Sequence, residues 1–258
     1  MRNVTARQQE IFSQALLDSV RVVLVEPSHP GNIGAVARAM GNMGLTRLFL
    51  VQPRDFPHPA ADARAAAAVP ILDQSTVCAC LDEALADCHL VVGTSARRRS
   101  IHWPELSPPE AMSQVAQESH RHDVALVFGR ESSGLSNAEL DRCDFLVRIP
   151  VVETCPSLNL AGAVLILTYE LALAPQRAAA TPLPVDRRRY ASADQVQSFY
   201  GHLERVLLDI DFLKAKPPTK LMRKLKCLFR RARLSEEEIN ILRGILTAVE
   251  QRSAKRNG

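Results

Sequence analysis

Three segments of this 258-residue chain gather residue types that could do chemistry. In HPGNIGAVARAMGNMG (29–44), Gly31, Asn32 and Gly34 form a short turn, and Arg38 follows four residues after Gly34. The spacing is neither a P-loop, which needs GxxxxGK[ST], nor a dinucleotide fingerprint, which needs three glycines. The same residues would also serve a plain helix start, with Asn32 as its N-cap and the glycines allowing close packing. The second segment is a pair, VVGTSARRR (91–99) and VFGRESSGL (127–135). Gly129 and Gly134 can bring backbone amides and carbonyls close to a flat ligand such as a nucleoside, and Glu131 could organise the loop. Arg97, Arg98 and Arg99 suit phosphate, because guanidinium forks bind phosphate oxygens bidentately; an exposed turn would carry them equally well. In the third segment, IPVVETCPSLNLAGAVLIL (149–167), Ser157 and Asn159 stand where an apolar helix begins. Ser157 reads poorly as a nucleophile, since no G-x-S-x-G elbow surrounds it and no histidine is near in sequence to act as base. An N-cap is the simpler role.

Something must hold these segments together. Apolar runs rich in branched residues occur at 20–26, 47–51, 89–95, 123–129 and 145–150, each followed by a stretch with helical pattern. Such alternation predicts an α/β domain with a mainly parallel sheet. All the candidate segments then follow strands, at the carboxyl edge where open α/β sheets bind ligands. Helices are expected at 33–43, 60–68, 81–87, 108–118, 137–143 and 158–173. The stretch APQRAAATPLPVDRRR, with Pro175, Pro182 and Pro184, has the composition of a linker. Three further helices are expected beyond it, at 192–212, 219–231 and 235–251, the last opened by a Ser235-x-x-Glu238 capping box. The predicted organisation is thus an extension over 1–19, an α/β domain over 20–174, a linker over 175–191 and a small all-α domain over 192–258.

The net charge of +4 conceals a division. Residues 1–170 hold 14 Arg, no Lys and 19 acids, a net of −5, whereas residues 171–258 hold 18 basic and 9 acidic residues, a net of +9. Nine basic residues and no acid lie between Lys214 and Arg233, a density that reads as a footprint for a polyanion. In the middle helix of this region Leu221, Leu225, Leu228 and Phe229 recur at helical spacing, with Lys220, Arg223, Lys224 and Arg231 on the complementary side. With 47% hydrophobic and 23% charged residues, disorder throughout is excluded. The most apolar stretch, 158–174, is too interrupted to span a bilayer, which needs about 20 apolar residues. The N-terminus shows no secretory or organellar signal, so a cytoplasmic location is expected. Six cysteines form no CxxC pair and read as reduced thiols, and Cys78, Cys80, Cys88 and His89 fit no common zinc spacing. No metal site is expected.

Taken together, NIGAVARAM, LVFGRESSGL and IPVVETCPSLNLAGAV resemble the three signature motifs of the SpoU branch of the SPOUT methyltransferases, in order and at plausible separations. The likeness runs from Val20 through the basic tail and is greatest to the bacterial tRNA 2′-O-methyltransferases that modify the ribose of nucleotide 32. It implies a deep trefoil knot near the C-terminal end of the α/β domain, a homodimer, and S-adenosylmethionine as methyl donor without a metal. Carried over by motif, the cofactor contacts would be Thr94, Ser95, Ala96, Gly129, Ile149, Pro156, Ser157 and Leu158. Arg38 matches the arginine regarded as catalytic, Arg99 and Ser157 match positions important for activity, and Asn32, Glu131, Gly134 and Asn159 would shape the site. Lys220, Arg223, Lys224, Arg230 and Arg231 would hold tRNA. Motif three departs from its relatives, with Cys155-Pro156 standing where they carry Tyr-Ser. Methylation of another tRNA ribose or of ribosomal RNA would use the same motifs. So would an RNA-binding module without activity, although the polar motif residues Asn32, Arg38, Glu131, Ser157 and Asn159 are all present.

Overall fold

A computed structural model describes residues 14–96, 103–180, 188–214 and 219–257. Seven strands form one sheet: β1 (Val20–Val25), β2 (Arg47–Val51), β3 (Thr76–Cys78), β4 (Cys88–Thr94), β5 (Glu105–Leu106), β6 (Asp123–Phe128) and β7 (Phe145–Val147). Their order is β3-β2-β1-β6-β4-β7-β5, and every neighbouring pair is parallel. A parallel sheet is covered on both faces, so its central strands read as continuous apolar runs. Side chains alternate between the faces all the same. Val22 and Leu24 of β1 enter one core with Met40, Leu126 and Val164, while Val23 and Val25 enter another with Val91, Val127 and Cys143. The charged residue within β1 is held by its terminal nitrogens: Arg21 donates to the carbonyl of Ala86 at 2.7 Å and to Asp123, which Arg47 also reaches at 2.9 Å.

Around the sheet lie α1 (Gln14–Asp18), α2 (Pro30–Asn42), α3 (Pro59–Ala65), α4 (Val69–Asp73), α5 (Leu81–Leu85), α6 (Pro108–Ser119), α7 (Asn137–Leu140) and α8 (Leu160–Ala180). Helix α2 crosses α3 so closely at Gly34 that a Cβ there would sit 2.0 Å from the carbonyl oxygen of Ala61. For this glycine, close packing is therefore the operative reading. Gly34→Ala should destabilise the protein by about 1–3 kcal/mol despite alanine's better helix propensity, because the obstruction is backbone. A urea midpoint equal to that of the wild type would refute this.

Four elements escaped the sequence reading, namely α1, β3, β5 and α4, each too short to display a period. The expected end of α8 near 173 is also corrected. The helix continues through Pro175 to Ala180, carried by alanines, the best helix formers, and by a Glu170–Arg177 ion pair that spans the proline. The expected linker thus contributes helix at its start, and residues 181–187 lie outside the described chain. No helix among the described residues is long and apolar enough to cross a membrane.

The C-terminal part is helical as expected: α9 (Ala193–Asp209), α10 (Thr219–Ala232) and α11 (Glu236–Asn257). The Ser235/Glu238 capping box is present, with Ser235 N–H donating to the Glu238 carboxylate at 2.7 Å and Glu238 N–H to Ser235 Oγ at 3.2 Å. A core of its own gathers Phe199, Tyr200, Leu203, Met222 and Ile239. Helix α10 follows the expected orientation only in part, with Leu225 and Phe229 packed against this core. Leu221 and Leu228 are exposed, and Met222, Cys227 and Arg230 are buried instead, because the helix packs on two partners at once. Towards the α/β domain, Arg223 pairs with Asp141 at 2.9 Å, Arg230 with Asp144, and Arg233, just beyond the helix, with Glu118 at 3.1 Å. Arg223 and Arg230, expected to face RNA, are thereby corrected to docking residues; Arg230 is only 5% exposed. Lys220, Lys224 and Arg231 remain exposed. Part of the charge division between the halves is therefore complementarity between two docked parts of one chain.

Candidate active site

Strands β4, β6 and β7 lie near one another in the sheet, and the segments leaving their carboxyl ends enclose a cavity. Its lining includes Thr94, Ser95 and Ala96 after β4, Gly129 to Leu135 after β6, and Ile149, Pro156, Ser157 and Leu158 after β7. All eight positions expected to contact the cofactor thus share one cavity, together with Glu131 and Gly134. The end of β4 is pinned to both neighbours: Thr94 Oγ1 donates to the Val127 carbonyl at 3.1 Å, and Ser95 N–H to the Val147 carbonyl at 3.2 Å.

The loop after β6 explains its glycines. Gly134 adopts a left-handed φ of 69°, and its N–H donates to the Arg130 carbonyl at 2.8 Å. That closes the loop so tightly that a Cβ on Gly129 would stand 2.2 Å from the carbonyl carbon of Gly134. Only glycine fits such a close backbone approach, and a positive φ favours it at the second position.

Three of the polar motif residues, Asn32, Glu131 and Asn159, form one network. The Glu131 carboxylate accepts from Asn32 Nδ2 at 3.1 Å, from Ser28 N–H at 3.2 Å, from Ser28 Oγ at 3.0 Å and from His29 N–H at 3.4 Å. Burial raises the Glu131 pKa, but the hydrogen bonds, led by that from Asn32, outweigh it and hold the carboxyl below the usual carboxylate range. Asn159 Nδ2 donates to Asn32 Oδ1 at 3.3 Å, so one residue from each motif takes part. Asn32 is not the N-cap of α2. The cap is His29, and Asn32 sits in the first turn with its amide turned across to Glu131. Nor does Ser157 cap α8: Asn159 does, accepting from Ala161 N–H at 2.9 Å with its side chain and from Ala163 N–H at 3.0 Å with its carbonyl. Ser157 is left on the cavity wall, exposed.

Sequence reasoning passed over Arg130. It is clamped between Glu26 at the end of β1 and Glu139 in α7, with Nε donating to Glu26 at 2.8 Å and both terminal nitrogens to Glu139 at 3.0 Å. These two carboxylates raise its pKa, chiefly through hydrogen bonds. The Ser136-x-x-Glu139 capping box was a readable signal for this fixed acid; the second acid is 104 residues away in sequence.

Arg38 lies on the exposed side of α2 and does not line the cavity. Arg99, with Arg97 and Arg98, falls outside the described residues. Among the described residues no group of three or more His, Cys, Asp or Glu side chains could hold a metal ion.

Comparisons with known proteins bear on this site. Residues 19–169 match the SpoU rRNA methylase family, and residues 194–258 match the C-terminal domain of the tRNA methyltransferase TrmJ. The tRNA (cytidine/uridine/adenosine-2′-O-)-methyltransferase TrmJ of Pseudomonas aeruginosa is 49% identical, over 92% of this chain and 95% of that protein. The tRNA (cytidine/uridine-2′-O-)-methyltransferase TrmJ of Yersinia enterocolitica is 47% identical, over 92% of this chain and 93% of that one. The crystal structure of TrmJ from Z. mobilis superposes with a TM-score of 0.78 at 31% identity, covering 89% of this chain and 98% of that one.

Proposed function

The chain belongs to the SpoU rRNA methylase family and carries the C-terminal domain of the TrmJ tRNA methyltransferases. From that premise we propose that it transfers a methyl group from S-adenosylmethionine to a ribose 2′-oxygen of tRNA, at nucleotide 32 in the anticodon loop. The observation that carries the proposal is the joining of all three motifs, at one cavity and one polar network, with a docked helical domain of the type found in tRNA-modifying relatives.

The residues present suit adenosylmethionine. The loops after β4 and β6 bring backbone polar groups to the cavity, and Leu135, Ile149, Leu158 and Leu160 supply apolar walls, the mixture that a nucleoside ligand needs. Bound there, adenosylmethionine supplies a methyl carbon made electrophilic by the adjoining sulfonium. Alignment of the ribose and loss of the hydroxyl proton are then the remaining tasks of the protein. Arg38 does not act as a base, because a guanidinium offers five N–H donors and no acceptor. It stabilises the negative charge that develops on the 2′-oxygen or fixes the adjacent phosphate, and the proton passes to water or a neighbouring group. Because Arg38 stands apart from the cavity of its own chain, a homodimer in which each subunit's arginine serves the other's cofactor completes the site. The deep trefoil knot belongs to the same proposal, supported by the three segments after β4, β6 and β7 closing round one cavity. A tRNA substrate accords with the expected cytoplasmic location.

Mass spectrometry of nuclease-digested tRNA, after incubation with enzyme and adenosylmethionine, tests the reading directly. A new 2′-O-methylated nucleoside at position 32 is expected, and an unmodified product would overturn it. The exposed Lys220, Lys224 and Arg231 are proposed to contact tRNA phosphates. Changing all three to alanine should weaken binding and lower the salt slope of log K by about 2–3, with adenosylmethionine binding unchanged. An unaltered slope would remove them from the RNA surface. This triple variant is a cleaner test than deleting residues 192–258, which would strip Asp141 and Asp144 of their arginines.

A further inference from the structure

On the far side of the loop after β6 lies a second recess, lined by Glu26, Ser28, Gln52 and Arg54 and closed by Arg130, Glu131 and Ser132. The last three also border the cofactor cavity, so one loop is the wall between two compartments at the carboxyl edge of the sheet. From these observations, and resting on the proposed methyl transfer to RNA, we infer that this recess receives the target nucleotide, with Arg54 binding a phosphate that flanks the methylated ribose.

The charges in the recess single out Arg54. Arg130 is committed to Glu26 and Glu139, and the carboxylate of Glu131 is occupied by hydrogen bonds from Ser28, His29 and Asn32. The acid beside Arg54 in sequence, Asp55, lies 3.8 Å from His58. Arg54 is exposed and makes no ion pair with a carboxylate among the described residues, while its backbone N–H is fixed to the Pro27 carbonyl at 3.1 Å. An anchored backbone carrying an uncommitted guanidinium fork is suited to a phosphate, where one arginine can make two parallel hydrogen bonds. The backbone also marks this recess. Glu26 and Gln52, at the ends of adjacent strands β1 and β2, both hold left-handed φ values, 45° and 46°, that non-glycine residues adopt at a cost. Both side chains thereby line the recess, and Gln52 is steadied by its Nε2 donating to the Ala79 carbonyl at 2.7 Å. Its remaining amide oxygen can accept from the Watson–Crick edge of a base, where cytidine, uridine and adenosine each carry an N–H.

An anticodon stem-loop RNA with a neutral methylphosphonate on either side of the target ribose tests this, used with full-length wild-type, Arg54→Ala and Arg54→Lys enzymes. With the natural RNA, Arg54→Ala should lose roughly ten- to a hundredfold in kcat/KM, Arg54→Lys should recover part of it, and adenosylmethionine affinity by calorimetry should be unchanged. The neutral linkage at the contacted position should cost the wild type a similar factor and cost Arg54→Ala almost nothing further. Wild-type kcat/KM in Arg54→Ala, additive losses from variant and linkage, or a parallel loss of adenosylmethionine binding would each overturn the subsite alone. Absence of ribose methylation by the wild-type enzyme would overturn the proposed function, and the inference with it.

Discussion

Arg38→Ala is expected to slow single-turnover methyl transfer by about a hundred- to a thousandfold, the usual cost of removing one donor aimed at a developing oxyanion. Adenosylmethionine affinity should stay unchanged, because Arg38 does not line the cavity formed by its own chain and its proposed role in the partner's site is toward the ribose 2′-oxygen or a phosphate. Folding should be unaffected too, since the side chain is exposed on α2. Arg38→Lys separates two ways of working. Lysine keeps the positive charge but is a point charge without the planar fork. If charge alone stabilises the 2′-oxygen, lysine recovers much of the rate; if bidentate fixing of a phosphate matters more, it recovers little. Near wild-type chemistry in both variants would exclude either role. Mixed dimers extend the test. Combining Arg38→Ala subunits with subunits whose cavity is blocked at Gly129, where any side chain meets backbone, leaves one intact composite site per mixed dimer if the arginine acts across the interface. Activity should then appear on mixing two inactive proteins, and its absence would place Arg38 in its own subunit's site.

The α/β reading depended on long apolar strands, and β1, β4 and β6 are as legible in sequence as they are buried in the sheet. Positions lost in the reading are those decided by distant partners. Strand β5 has two residues and exists only because β7 offers Leu146 and Val147 as partners. The candidate site divides in the same way. Its loops could be located because glycine and polar residues after strands have local causes, whereas the Glu131–Asn32–Asn159 network joins residues as much as 127 apart. Helix α10 shows the limit most clearly. Its cationic stripe was visible, but nothing in residues 219–232 distinguishes an arginine facing solvent from one facing Asp144. Only the docking partner does so, and it turned Arg223 and Arg230 inward while leaving Lys220, Lys224 and Arg231 outside.

That docking makes Asp144→Asn the substitution with the largest expected effect on stability. Asp144 does two things at once: Oδ2 accepts from the Val91 N–H of β4 at 2.8 Å, and Oδ1 accepts from Arg230. Arg230 is buried, with its guanidinium beside the ring of Tyr200, and its Nε has no acceptor among the described residues. Burial also pushes the neighbouring Cys143 thiol and Tyr200 hydroxyl up to about 12, so both are neutral at pH 7 and neither can replace the lost carboxylate. An asparagine keeps the shape and one acceptor oxygen but removes the only anion paired with this buried cation among the described residues. Stranding a buried charge in this way costs about 3–5 kcal/mol. Arg230→Met should cost less, because the charge it leaves unpaired, on Asp144, is less buried than Arg230 and keeps its hydrogen bond from the Val91 N–H. The double variant should therefore be more stable than Asp144→Asn alone, an ordering that loss of hydrogen bonds in general would not produce. The chain contains a single tryptophan to report it. Trp103 is buried and donates from Nε1 to the Cys143 carbonyl at 3.1 Å, one residue from Asp144, so its emission should shift to the red as the helical domain leaves the sheet. Urea titrations followed at that emission would decide the matter. A loss below about 1 kcal/mol in Asp144→Asn, or a double variant no more stable than it, would show that the ion pair is not what holds the two parts together.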